Sequence, residues 1–231
     1  MKNLFIVALS LLIIIPTMAG DRVTRSLKSF NGIDISNGTE ALLFQSDENK
    51  IDIEATGIDL KKIKTTVNNG ILKISVDSDW WRLNWNSKRK IKVKIYHTDK
   101  INSIDASGGS QIKAEHSINT EQIAIDAAGG SIVNLTINSE VATLDISGGA
   151  ILNLDGKSDK IEIDASGGAK LTNIKLITQN ASIDAGGGAI IKLTVNKSLT
   201  VEASGGAQVL YGGQPTDTDI EKHSGARVSK M

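Results

Sequence analysis

Six acids recur at a near-constant interval in the second half of the chain: Asp105, Asp126, Asp145, Asp164, Asp184 and Glu202. The steps between them are 21, 19, 19, 20 and 18 residues. If the segments that carry them stack as paired strands, the carboxylates form a row spaced at about 4.8 Å. Neighbours in such a row repel by about 0.9 kcal/mol per pair in water. A divalent cation with a taste for oxygen, Ca²⁺ above all, would turn that repulsion into attraction. Asp105, Asp126, Asp145, Asp164 and Asp184 are therefore the candidates for a metal site, or for the acids of a polysaccharide-cleaving enzyme. Against this stands the repetition itself. A catalytic pair should interrupt a repeat, whereas an acid kept in every copy reads as a rule for building the repeat, solvating a strand or bonding to neighbouring backbone.

A second group with chemical capacity is Trp80, Trp81 and Trp85, which are all the Trp residues of the chain and fall within SDWWRLNWNSK, 78–88. Their order follows no strand alternation and polar residues surround them, so the stretch reads as a long loop or hairpin tip. The rings offer a stacking platform for sugars or an apolar contact with a protein partner. The competing reading is a lid that covers an open end of the core. The three histidines, His97, His116 and His223, share no ligand spacing and are each expected at the surface. No Ser stands in a nucleophile elbow, and there is no Cys, which excludes disulfides, thiolate metal sites and a lipid-modified N-terminal cysteine. No cofactor is implied.

What must position the acids is the phrase in which each sits. It reads IDASGGS at 104–110, IDAAGGS at 125–131, LDISGGA at 144–150, IDASGGA at 163–169, IDAGGGA at 183–189 and VEASGGA at 201–207, with a worn copy, HSGA, at 223–226. Self-similarity at this period is the mark of a solenoid. Aligned by column, Ile104, Ile125, Leu144, Ile163, Ile183 and Val201 precede the acids, and Ala106, Ala127, Ile146, Ala165, Ala185 and Ala203 follow them. Both columns are apolar and face inward, so the acid between them faces out. Three places past the second Gly stand Ile112, Val133, Leu152, Leu171, Ile191 and Val209, a further inward column. Each repeat is thus two short strands joined at a Gly-Gly corner, with the coil closing through a loop of more variable length. A phosphate-cradling reading of the glycines fails for want of a following helix or a Lys-Ser/Thr pair. A calcium β-roll fails because its repeat is nine residues with the acid after the glycines.

The expected fold is all-β: a right-handed parallel β-helix with ~19-residue coils over 101–231, in keeping with the usual hand of parallel crossovers. It is preceded over 20–100 by a region of strands and hairpins, with no Pro- or Ser-rich linker between the two. Val67-Asn68-Asn69-Gly70-Ile71 reads as a tight hairpin turn. In RKIKVKIYH, 89–97, Ile91, Val93 and Ile95 face the core, while Lys90, Lys92 and Lys94 face solvent, as alternation alone requires. The C-terminal stretch with Pro215 and HSGAR is expected to form a degenerate last coil that caps the core. Residues 1–19 combine a cationic start, an apolar run too short to span a bilayer and Thr17-Met18-Ala19, the build of a secretory signal peptide. Lys+Arg and Asp+Glu both total 26, which supplies no electrostatic case for nucleic acid.

With those residues in view, the chain resembles the head GIN domain family of auto-transporter adhesins over about 30–226. The resemblance rests on FNGIDISNG, on TTVNNGILKIS before KIKVKIY, on the repeated DASGG phrases, and on the closing YGGQP with Tyr211 and Pro215. It implies a β-helical exported protein of the cell envelope with no catalytic residues to carry over. The expected function is an exported adhesin-like or structural binding module for a glycan or surface protein, in the periplasm, on the outer-membrane surface or outside the cell. The alternative is a polysaccharide-active enzyme using the outward Asp residues, with calcium. Ligand identity and self-association are not legible.

Overall fold

The computed structural model describes residues 21–77, 89–172 and 175–231. The expected leader, 1–19, and Trp80, Trp81 and Trp85 lie outside the described residues. Strands account for nearly all of the rest: β1 (Asp21–Ser26), β2 (Gly32–Ile35), β3 (Thr39–Gln45), β4 (Lys50–Thr56), β5 (Ile63–Asn68), β6 (Ile71–Val76), β7 (Lys90–His97), β8 (Ser103–Ala106) and β9 (Gln111–Asn119). There follow β10 (Gln122–Ala127), β11 (Ile132–Ile146), β12 (Ile151–Ala165), β13 (Lys170–Leu171), β14 (Leu176–Ala185), β15 (Ile190–Ala203), β16 (Gln208–Gly212), β17 (Asp217–Lys222) and β18 (Arg227–Lys230). The only helical element among the described residues is a 3₁₀ turn, Leu60–Lys62. The chain forms a β-solenoid of about seven turns with coils of about 19 residues, as the repeat predicts.

Two ladders of strands enclose one core. The first contains the acid-bearing strands and runs β5–β6–β2–β8–β10, then the second halves of β11 and β12, β14, the second half of β15, and β17. The second runs β1–β4–β7–β3–β9, then the first halves of β11 and β12, β13, the first half of β15, β16 and β18. Pairing is parallel except at β1–β4, β4–β7 and β5–β6. The inward columns read from the sequence are buried: Ile104, Ile125, Leu144, Ile163, Ile183 and Val201 are each at most 3% exposed. One apolar cluster runs from Phe30 to Val209. The β5–β6 hairpin turns through Asn69 (φ 50°) and Gly70 (φ 76°), as expected for that pair.

The second corner of the coil differs from expectation. In β11, β12 and β15 the chain rounds it without leaving the strand. Inward residues switch phase between Ile137 and Ala142, and between Leu154 and Ile161. Buried hydroxyls sit at this bend and bond locally: Ser158 Oγ donates to Lys160 O at 2.8 Å and Thr178 Oγ1 to Asn180 O at 3.0 Å. A Ser or Thr that satisfies its own bend makes a loop unnecessary.

The first corner is the Gly-Gly turn. The first Gly of each pair has φ between 58° and 65° (Gly108, Gly129, Gly148, Gly167, Gly187, Gly205), the left-handed region that an L side chain enters at a cost. It also faces the preceding rung. A Cβ on Gly148 would lie 3.1 Å from Gly129 N, and one on Gly129 3.2 Å from Gly108 N. The second Gly has open space where a Cβ would go at Gly109, Gly130 and Gly149, the last at φ 87°. The two ends of the solenoid are dressed with cations. At one end Arg25 donates to Ile63 O (2.8 Å), Thr65 Oγ1 (2.9 Å) and Leu60 O (3.0 Å), tying β1 to β5. At the other, Lys222 pairs in register with Ala203 and Lys230 with Tyr211, so lysines occupy columns that earlier rungs fill with apolar residues.

The two glycines of one corner are therefore unequal. Gly148→Ala meets both strain and the backbone of the rung below, and is expected to cost about 2–4 kcal/mol. Gly149→Ala meets strain alone and is expected to cost about 1–2 kcal/mol. Urea or thermal unfolding of the two variants measures the difference, and equal losses would show that rung-to-rung contact is not what selects the first Gly.

Candidate functional site

The acids come together as the spacing demands. Asp105 pairs with Asp126, Asp126 with Asp145, Asp145 with Asp164, Asp164 with Asp184 and Asp184 with Glu202. The row is longer than the repeat count suggests. Asp34 stands beside Asp105, and Glu221 beside Glu202. Asp34 belongs to IDISNGT, 33–39, a copy of the phrase with Asn37 (φ 63°) where later copies have the first Gly. The match was present in the letters, but 71 residues separate Asp34 from Asp105. Beyond Asp34 the row ends on a cation, Lys73, whose Nζ lies 2.5 Å from Asp34 Oδ2.

A straight row brings each carboxylate near its two neighbours and no others. Accordingly, no three Asp, Glu or His side chains among the described residues converge closely enough to share a metal ion. Crowding is still felt. Burial, then the charges of Asp34 and Asp126, push the Asp105 carboxyl above its usual range, against the pull of Lys73. Desolvation against the sheet, then Asp145, push Asp126 up.

The histidines depart from expectation. His223 is exposed, but His97 is 3% exposed and His116 is half-buried, with their ring centres 5.0 Å apart. His97 lies at the inward end of β7, its Nδ1 2.8 Å from Asp99 O. His116 reaches it through an irregularity in β9, where Lys113 pairs with Asn134 but Ser117 with Thr136, leaving two extra residues. Neither His97 Nε2 nor His116 Nδ1 has a hydrogen-bond partner among the described residues. Burial lowers the pKa of His97, and burial followed by the nearness of His97 lowers that of His116. Both shifts favour the neutral ring. Periodicity gave no sign of this pair, since it depends on a bulge that breaks the alternation.

The second ladder carries the other feature with shape. Across β1, β4, β7, β3, β9 and β11 a groove encloses about 660 Å³, floored by the outward residues Arg22, Thr24, Asp52, Glu54, Lys92, Lys94, Glu40, Leu42, Gln111, Lys113 and Asn134. Its acids are engaged: Arg22 meets Glu54 at 3.0 Å, Lys90 meets Glu40 at 3.3 Å, and Thr24 Oγ1 donates to Asp52 at 2.7 Å. At the next outward position along β3 and β7, Phe44 and Tyr96 stack with ring centres 5.3 Å apart. A candidate cluster was visible here only as alternation in KIKVKIYH; the groove needs strands that lie far apart in sequence.

Residues 29–215 match the family model described as "Putative auto-transporter adhesin, head GIN domain". The chain belongs to that family. Among curated proteins no significant relative was found. Solved structures share the fold. A "putative adhesin" of Bacteroides fragilis is 18% identical, with a TM-score of 0.76 over 94% of this chain and 99% of that one. A "putative adhesin" of Parabacteroides merdae is 15% identical, with a TM-score of 0.74 over 93% of this chain and 97% of that one. A "Putative lipid binding protein" of Parabacteroides distasonis is 13% identical, with a TM-score of 0.65 over 92% and 97%. In this head GIN protein no helix among the described residues is long and apolar enough to cross a membrane.

The titrating groups act in opposite directions. His97 and His116, whose pKa values are lowered in the fold, contribute stability that is present above about pH 6.5 and lost as pH falls toward their folded values. Asp105 and Asp126, whose pKa values are raised, favour the fold below their usual range near 3.8 and lose that contribution as pH rises through their folded values. Melting temperature is thus expected to drop between pH 7 and pH 5, and to drop less in His116→Leu. Asp126→Asn is expected to raise it at pH 7, with the gain vanishing toward pH 3. A pH series of thermal melts on the three proteins measures both; parallel curves would remove these groups from the pH dependence.

Proposed function

We propose that this head GIN protein is exported to the cell envelope and works there as a non-catalytic adhesive module, with the groove on the second ladder as its contact surface. The observation that carries the reading is the contrast between the two ladders. The acid row is uniform from Asp34 to Glu221, which fits a building rule, and it gathers no group of three ligands. The repeat breaks down instead at the groove, where concavity and mixed charge occur together and an aromatic pair stands at the next outward position. Sites that bind are concave and carry a few polar groups in fixed positions, whereas catalysis calls for titratable groups with shifted pKa values in the cleft. The shifted groups, Asp105, Asp126, His97, His116, Lys50 and Lys73, all lie outside the groove's lining. The family description supports adhesion, and the leader-like residues 1–19 support export. Trp80, Trp81 and Trp85 are retained as a proposed accessory platform for sugar or protein.

Two measurements test this. Beads coated with residues 20–231 are expected to be retained on intact bacterial surfaces, and beads carrying the heat-unfolded chain are not; equal retention would overturn the adhesive reading. Protein exported from cells that express the whole chain is expected to begin at Gly20 or Asp21 by N-terminal sequencing. A mature protein that keeps residues 1–19 would contradict a cleaved leader, and the release of reducing ends from polysaccharide would contradict a non-catalytic role.

A further inference from the structure

The groove has the dimensions of a track. Its lining takes about three consecutive residues from each of β1, β4, β7, β3 and β9 and one from β11. Six strands at about 4.8 Å give a length of about 24 Å, and three residues at about 3.3 Å give a width of about 7 Å. The long axis therefore runs across the strands. An occupant lying along it gains no main-chain ladder, so recognition falls to outward side chains.

Those side chains leave charge over. Glu54, Glu40 and Asp52 are each met by a cation or a hydroxyl within the protein, and Lys113 pairs with Glu115 at 2.8 Å. Lys92 and Lys94 are exposed, sit on alternate residues of β7, and have no ion pair or hydrogen bond among the described residues. Lys92, in register with Glu54 and Glu40, whose carboxylates turn to Arg22 and Lys90, and Lys94, in register with Asp52, thus stand about 7 Å apart near the middle of a groove whose lining, with Arg22 and Lys113, carries one more cation than carboxylates. At the next outward position along the same strand, Tyr96 stacks on Phe44, and both rings are half-buried. Lys50 Nζ lies 4.9 Å from the centre of the Tyr96 ring, so the stack joins apolar ring surface to a further cation, a pairing that suits a polymer that alternates flat apolar faces with anionic groups.

We propose that this groove binds an extended anionic polysaccharide, with Lys92 and Lys94 receiving its carboxylate or sulfate groups and Phe44 and Tyr96 bordering a sugar ring. The proposal names the ligand class of the adhesive surface and rests on that reading. An acidic peptide shares the charge, but across the strands it forfeits the backbone pairing that sheets offer to peptides, and it brings no flat ring face.

The probe is an oligogalacturonate of about five units, a length that fills about 24 Å. It is compared by calorimetry with a neutral cello-oligosaccharide of the same length and with an oligoglutamate peptide, all against residues 20–231. The expected result is binding of the oligogalacturonate alone, weakened by added salt and reduced about tenfold or more in Lys92→Gln/Lys94→Gln. Lys160→Gln, on the acid-bearing ladder, is expected to leave it unchanged. Both groove lysines are exposed, so an unaltered melting temperature verifies that the double variant is folded. Equal binding of the neutral sugar, equal binding of the peptide, or indifference to the double substitution would each overturn the proposal. If no probe binds while the coated beads still adhere, the ligand class is wrong and adhesion stands; if the beads also fail, both readings fall.

Discussion

The closeness with which one rung's backbone lies on the next is the constraint from which the other features follow. At the Gly corner a Cβ on the first Gly would come within 3.1–3.4 Å of the rung before it, at a φ that disfavours side chains in any case. With that corner fixed, each strand enters its ladder in the same register, and the columns on both sides of the turn are set. The acid row is a by-product of that register. Because every outward place between two inward apolar columns recurs at strand spacing, any charge put there in one copy meets the same charge in the next. The chain tolerates the repulsion by leaving the carboxylates in solvent for most of the row and by ending it on Lys73.

The sequence made the repeating half legible for the same reason. A corner that favours Gly and inward columns that favour apolar residues leave a signature at turn after turn, and the columns read from the repeats are buried. The second corner left no such signature, because a buried Ser158 or Thr178 bonding to backbone two residues on looks like any polar residue in a strand. Reading it as a loop followed from its uneven length. The His97–His116 contact was hidden for a related reason: it requires two extra residues in β9, and a bulge appears in a sequence only as broken alternation. Asp34 was hidden by distance, since Asn37 supplies the left-handed φ that Gly supplies elsewhere and the intervening strands interrupt the period.

The groove illustrates a different limit. Lys92 and Lys94 were legible as outward residues of an alternating strand, and they are outward. What alternation could not convey is that β4 lies antiparallel beside β7 and β1 antiparallel beside β4, with Glu54 and Asp52 already engaged by Arg22 and Thr24. Whether a lysine is merely solvated or stands without an ion pair in a concavity depends on its cross-strand neighbours, which come here from β3 on one side and β4 on the other.

The antiparallel strands at the start of the molecule carry a further consequence. Rungs that are near-copies of one another could pair one step out of place, and every side chain would still land in an equivalent column. A slip by a single residue is penalised at once because it turns the apolar face outward, but a slip by a whole coil is almost free of penalty inside the repeat. What distinguishes the correct alignment is the part that does not repeat: β4 set against β7, Arg25 bonded across to β5, and Asn37 beneath Gly108. The irregular beginning thus acts as an index mark, giving an otherwise periodic object a place from which its turns are counted.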